Sequence, residues 1–135
     1  MTVGIALRPA GSTVIVVDYS RVLYSQMQTG FLNVFPTVTE EKVADYSVPD
    51  VNQVRFGAEH QFTALSAAPA VRVGAWFDPD HALRNVRSDS LFRAGEDVWH
   101  YTVGGGIVAK PVEVNVGADL SKRGNIVSVS AVVRF

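Results

Sequence analysis

Hydrophobic and polar residues alternate along this chain with a period of two. Clusters of Gly, Pro, Ser, Asn and Asp interrupt the alternation. No segment sustains a 3.6-residue period. The alternating runs predict seven strands, at about 2–8, 12–25, 51–64, 69–79, 98–109, 111–120 and 124–135. Sorted by parity, each run has one apolar face: Val3, Ile5 and Leu7 in the first, Val71, Val73, Ala75 and Phe77 in the fourth, Val127, Val129, Ala131, Val133 and Phe135 in the last. The other face carries Arg8, Asp18, Arg55, Glu59, Arg72, Asp78, Glu113, Asp119 and Arg134, with Gly4, Gly57, Gly74, Gly104, Gly106 and Gly117 between them. The expected fold class is all-β: an antiparallel up-and-down meander of about seven strands.

Alternation alone does not say whether the apolar face points into a core or out into lipid. Three features point to lipid. The polar face is rich in Arg, carboxylates and Gly and nearly free of Lys, which suits a crowded, partly wet lumen. Apolar parity holds for about 9–11 residues in the longer runs, the length of a tilted membrane strand. The connections mostly alternate, short near 9–11, 65–68 and 110–111 and long near 26–50 and 80–97, with the one at 121–124 the exception. Tyr24 and Trp99 at the long-loop ends, and Phe62 and Phe135 at the opposite ends, are placed as two interfacial girdles.

Composition narrows the class further. Twelve basic residues against 13 acidic give a net charge of −1, so nothing favours nucleic acid. Cysteine is absent, which removes disulfides and thiolate metal sites. The chain is 47% hydrophobic, yet no apolar run approaches the roughly 20 residues of a membrane helix. Lys42, Lys110 and Lys122 are its only lysines, all in loops or at strand ends, whereas a small soluble β-protein spreads Lys over its solvent face and edges. Met1 to Pro9 show no secretory signal, so an exported form is expected to be mature or a fragment. Residues 1–135 are expected to be one barrel segment.

The last run, Asn125-Ile-Val-Ser-Val-Ser-Ala-Val-Val-Arg-Phe135, resembles the C-terminal signature of outer-membrane β-barrels. That resemblance implies recognition by the barrel-assembly machinery through Phe135. Val48-Pro-Asp-Val-Asn-Gln-Val-Arg-Phe-Gly-Ala-Glu-His-Gln-Phe62 and His100-Tyr-Thr-Val-Gly-Gly-Gly-Ile-Val-Ala-Lys110 are similar to the C-terminal part of FadL/TodX-type transporters of long-chain fatty acids and other hydrophobic compounds. The resemblance implies a C-terminal barrel half in the bacterial outer membrane. Family members carry about twice this number of strands, an N-terminal hatch with an Asn-Pro-Ala motif, and a kinked strand that opens a lateral exit. None of these has a counterpart here, so the segment needs a missing half, or a second copy, to close a barrel.

Motifs for chemistry are weak. Gly104-Gly105-Gly106 lacks the Lys-Ser/Thr and helix of a phosphate loop and reads as strand. His60, His81 and His100 lie on separate segments without ligand spacing, and no Gly-x-Ser-x-Gly elbow occurs. Asp78-Pro-Asp80 with Asp89, Glu96 and Asp97 could bind calcium between loops, but the spacing fits a solvated acidic loop better. The nine charges of the polar face are the lumen-lining candidates, either as a structural ion-pair network or as a permeation lining in which Arg55 or Arg72 holds a substrate carboxylate. Leu32, Val34 and Phe35 in the long loop at 26–50 are candidates either to capture a greasy ligand or to fold back and cap the barrel.

The expected role is passive uptake of hydrophobic small molecules at the outer membrane, with lipid as surroundings and no enzyme chemistry, metal or cofactor. Two alternatives stand beside it. One is a small closed outer-membrane barrel of about eight strands, with a further strand inside 33–48 and a structural or adhesive role. The other is a soluble lipid-binding barrel of lipocalin type with the apolar face inward.

Overall fold

Segments such as Thr13-Val-Ile-Val-Val-Asp-Tyr-Ser-Arg-Val22 are rich in β-branched and aromatic residues and free of proline, so they suit a pleated ladder better than a helix. The computed structural model describes residues 1–27, 46–85 and 95–133. The strands are β1 (Thr2–Ala10), β2 (Thr13–Val22), β3 (Tyr46–Ser47), β4 (Val51–Gln61), β5 (Ala70–Asp78), β6 (Arg84–Asn85), β7 (Val98–Ala109), β8 (Val112–Ser121) and β9 (Gly124–Val133). Seven form one antiparallel sheet in the order β1-β2-β4-β5-β7-β8-β9, and β3 pairs with β6 in a separate ribbon. The sheet is an open meander.

The expected strands are present, with some ends trimmed. β2 stops at Val22 because Gln26 and Met27 donate back to the carbonyls of Leu23 and Tyr24, and the Ser25 N–H turns to Asp50. Tyr24 therefore lies past the strand and stacks on His81 at 5.0 Å, instead of standing outward as a girdle residue. β4 stops at Gln61, where Phe62 donates to the Pro69 carbonyl and a tight loop follows. β2 pairs with β4 along its whole length, so no strand from 33–48 lies between them; residues 28–45 are outside the described ones.

The two faces differ in exposure. In β7 the even positions Val98, His100 and Thr102 are covered, while Trp99, Tyr101 and Val103 are exposed. On the apolar face Val73 is 53% exposed, Val116 51% and Val129 71%. The buried apolar residues are only Val51, Ala70 and Val98 among the described residues, while Ser20, Gln53 and Asp78 are buried polar ones. A soluble sandwich or lipocalin-type barrel hides its apolar face, and here it is the uncovered one. The sheltered face is not purely polar, since Val14, Val16, Trp76, Val108 and Ile126 share its parity.

Glycine lets the sheltered side chains lean over neighbouring strands. A Cβ at Gly74 would sit 2.6 Å from Thr102 Oγ1 and 2.9 Å from the Phe56 carbonyl, and one at Gly106 would collide with Asn115 Oδ1. Small residues at these sites are a packing requirement.

The exposed apolar belt runs obliquely across the ladder. On β2 and β4 it is bounded by Thr13 and His60 at one end and by Arg21 and Asn52 at the other, which are in register. Each boundary pair is eight residues apart, about 27 Å along the strand. The register line through Thr13 and His60 continues through Val71, Gly105 and Val116 to Val129, in mid-belt on β9. The line through Val17 and Phe56, mid-belt on β2 and β4, reaches Asn125 at the belt's edge on β9. The belt thus shifts by about four residues over five strand steps, roughly 13 Å against 24 Å, which tilts the strands about 30° from the normal to the belt.

Candidate functional site on the sheltered face

Covering one face of a sheet with charge costs free energy unless each charge finds a partner. The sheltered face solves this in two tiers, built from contacts within a strand, between adjacent strands and, for Trp76–Asp119 and Arg72–Asn115, across the intervening β7.

The tier beside the long connections centres on Asp78, the last residue of β5, which is 6% exposed. It accepts from Gln53 Nε2 on β4 at 3.2 Å and from an Arg123 guanidinium nitrogen at 2.7 Å. Arg123 comes from the β8–β9 turn, reaches past β7, and also donates to the Glu96 carbonyl at 2.7 Å. Arg55 donates to Gln53 Oε1 at 3.0 Å and lies 5.8 Å from the Trp76 ring. Trp76 stacks on His100 with centroids 3.9 Å apart. Both donate to one carboxylate, Trp76 Nε1 to Asp119 Oδ2 at 3.2 Å and His100 Nδ1 to Oδ1 at 2.8 Å. His100 Nε2 is buried without a hydrogen-bond partner among the described residues.

The second tier lies toward the short turns. Arg72 Nε donates to Glu59 at 2.5 Å and its NH1 to Asn115 Oδ1 at 2.7 Å, while Asn115 Nδ2 donates to Glu113 at 3.2 Å. These residues border a recess of about 600 Å³ that Val108 and Lys110 also line. Arg72 and Glu59 are each about two-fifths exposed, so solvent screens this tier more than the first.

Of the lumen-lining candidates, Arg55, Glu59, Arg72, Asp78, Glu113 and Asp119 join the two tiers. Asp18 leans over Gly4, in register with Arg55 but not bonded to it. Arg8 has no hydrogen bond or ion pair among the described residues. Arg134, Phe135, Leu32, Val34 and Phe35 lie outside the described residues. Sequence alone gives no reason to single out Trp76, although its parity matches Arg72 and Asp78, and no role to Gln53, Asn115 or His100 beyond their face. Arg123 carries no signal, because a turn residue has no strand parity to read.

The acidic loop is tied up internally. Asp80 accepts from the Ala82 N–H at 2.8 Å and from Arg84 at 2.6 Å, and the Asp80 N–H donates to Asp97 at 2.8 Å. The Ala82 N–H, with Arg84 and the Gly95 N–H behind it, holds the Asp80 carboxyl below its ordinary value despite desolvation. Asp89 is outside the described residues, and no group of three potential metal ligands forms among them. On the exposed face, Thr13 Oγ1 and His60 Nδ1 pair at 2.8 Å at one belt edge, and Tyr19 OH donates to Asn52 Oδ1 at 2.9 Å at the other.

No family model, curated protein or solved structure matches the chain.

Proposed function

We propose that residues 1–135 are part of a transmembrane β-barrel of the bacterial outer membrane that serves the passive uptake of long-chain fatty acids or other hydrophobic small molecules. The reading rests on one observation: a tilted belt of apolar side chains is exposed while ion pairs and amides occupy the sheltered face. Leaving Val, Ile and Phe in water forfeits about 1.5–3 kcal/mol for each full side chain. Lipid removes that cost without a core. With the strands inclined about 30°, a belt of about 27 Å along the strand spans roughly 23 Å of membrane, near the thickness such barrels present. The transport role is carried by the resemblance of residues 48–62 and 100–135 to FadL/TodX-type transporters, and the polar recess gives a solute head group partners.

The two tryptophans test the membrane half of the proposal, because Trp76 is on the sheltered face and Trp99 on the exposed one. In vesicles of brominated phospholipid, the Trp76→Phe variant, which keeps Trp99, is quenched by the bromines. The Trp99→Phe variant is quenched far less. Equal quenching of both, or none of Trp99, refutes the membrane reading. Loss of the gene should then slow uptake of a labelled long-chain fatty acid by whole cells; unchanged uptake leaves the structural or adhesive barrel as the better reading.

A further inference from the structure

We infer that the recess at the short-turn end is a head-group site for anionic amphiphiles, and that Lys110 is the residue that binds the charge. The inference deepens the uptake reading above and rests on it.

Four charged residues border the recess of about 600 Å³: Glu59, Arg72, Lys110 and Glu113. Three of them are engaged. Arg72 donates to Glu59 and Asn115, and Glu113 accepts from Asn115. Lys110 makes no hydrogen bond or ion pair among the described residues, and neither does the side-chain amide of Gln61, which lines the same recess. A cation and an amide with unused donors thus share a cavity whose other charges are matched. The partner they lack is an acceptor, and a negatively charged one suits the lysine best. Arg55 is no rival, because it donates to Gln53 and lies over the Trp76 ring.

The rest of the wall selects the kind of anion. Ala68, Ala70, Val108, Pro111 and Val112 give the recess an apolar surface. A bare inorganic anion gains nothing from that surface, whereas an anion carrying a hydrocarbon tail removes it from water. The volume lies within the roughly 300–1,000 Å³ of small-molecule sites.

Position adds a role. Lys110 sits in the turn between Ala109 at the end of β7 and Val112 at the start of β8. With Ala68 and Val108 it also borders a second hollow, of about 510 Å³, beside Ser66 and Ala67. The loop that walls both hollows is fixed in place. Val108 N–H donates to the Ala67 carbonyl and Ala68 N–H to the Leu65 carbonyl, both at 2.9 Å. Ala68 is held at φ +39°, a conformation that residues with a Cβ rarely adopt and that persists only where the surroundings enforce it. Lys110 therefore stands where the sheltered face opens at the short-turn end, which outer-membrane barrels place in the periplasm. A head group bound there is at the point of release.

The chain has three lysines, Lys42, Lys110 and Lys122, so reductive dimethylation with labelled formaldehyde gives a short NMR spectrum, assigned with Lys→Arg variants. The full chain in dodecyl maltoside is titrated with laurate, dodecyl phosphate, methyl laurate and acetate. Laurate and dodecyl phosphate are expected to shift the Lys110 signal saturably, and the tighter of the two identifies the head group. Methyl laurate and acetate leave it in place at the same concentrations. Gln61→Ala weakens laurate about two- to tenfold, the loss of one neutral hydrogen bond. Lys110→Gln slows whole-cell uptake of a labelled long-chain fatty acid while the urea midpoint in detergent stays put, and Lys110→Arg restores uptake. A Lys110 signal that ignores both anionic amphiphiles, follows methyl laurate or acetate equally, or moves only together with Lys42 and Lys122 overturns this inference alone, provided Trp99 is quenched in brominated vesicles. An unquenched Trp99 refutes the membrane reading and the release role with it.

Discussion

Asp78 shows how much one side chain does on the sheltered face, and how little of that its own sequence neighbourhood reveals. Parity places it inward with Arg72, and an aspartate at the end of an alternating run is ordinary. Its partners Gln53 and Arg123 are 25 and 45 residues away, and only the assembled sheet brings them together. Asp78→Ala leaves the buried Gln53 amide without its acceptor, an expected loss of about 1–3 kcal/mol, to which the half-exposed Arg123 adds little. The urea midpoint in detergent should fall with the slope unchanged. Arg123→Ala in the Asp78→Ala background should cost clearly less than in the parent chain, because the pair is already broken. Equal costs in both backgrounds would deny the contact. Trp76 teaches the complementary lesson: its parity is readable, but an aromatic residue in such a strand suggests a girdle, and only the Asp119 contact shows why an indole sits among charges.

At the level of elements, alternation and turn residues make the strands legible to within a few positions, because period two and Gly/Pro punctuation are local signals. The ends of β2 and β4 are less legible, since competing local hydrogen bonds stop the ladder there. The junctions beyond the strands depend on two carboxylates. The Ser25 backbone N–H, then its hydroxyl, hold Asp50 below its ordinary value of 3.8, and the Ala82 N–H does the same for Asp80. A depressed folded-state value stabilises the junctions above the ordinary pKa, and the contribution is lost as pH falls through the lowered one. Proteolysis or amide exchange at residues 23–27 and 79–85 should thus be flat from neutral pH to about 4 and rise below it. Asp80→Asn should weaken that acid dependence at 79–85 without moving it at 23–27. A rise already at about pH 6 would mean that other groups control these junctions.

For the whole molecule, the question is which medium covers the exposed belt. Val73 lies in it, paired with Ala58 and Val103. In a lipid-embedded barrel Val73→Arg should cost about 2–4 kcal/mol, whereas an arginine on a water-facing sheet changes stability by about 0.5 kcal/mol or less. Unfolding in phospholipid vesicles separates the two outcomes. A shift near zero would put water against the belt.

The order of residues is enough to establish a meander of amphipathic strands and to say which side chains share a face, because alternation is fixed by backbone geometry. It is not enough to say which face is sheltered, since period two is the same for a core and for a lipid-facing wall. That was settled by the folded sheet, which leaves the apolar belt exposed and pairs Asp78 with Arg123 and Trp76 with Asp119 across intervening strands. The shared direction of the first and last strands also emerges only there, as a property of how many strands pair in succession rather than of any residue in them.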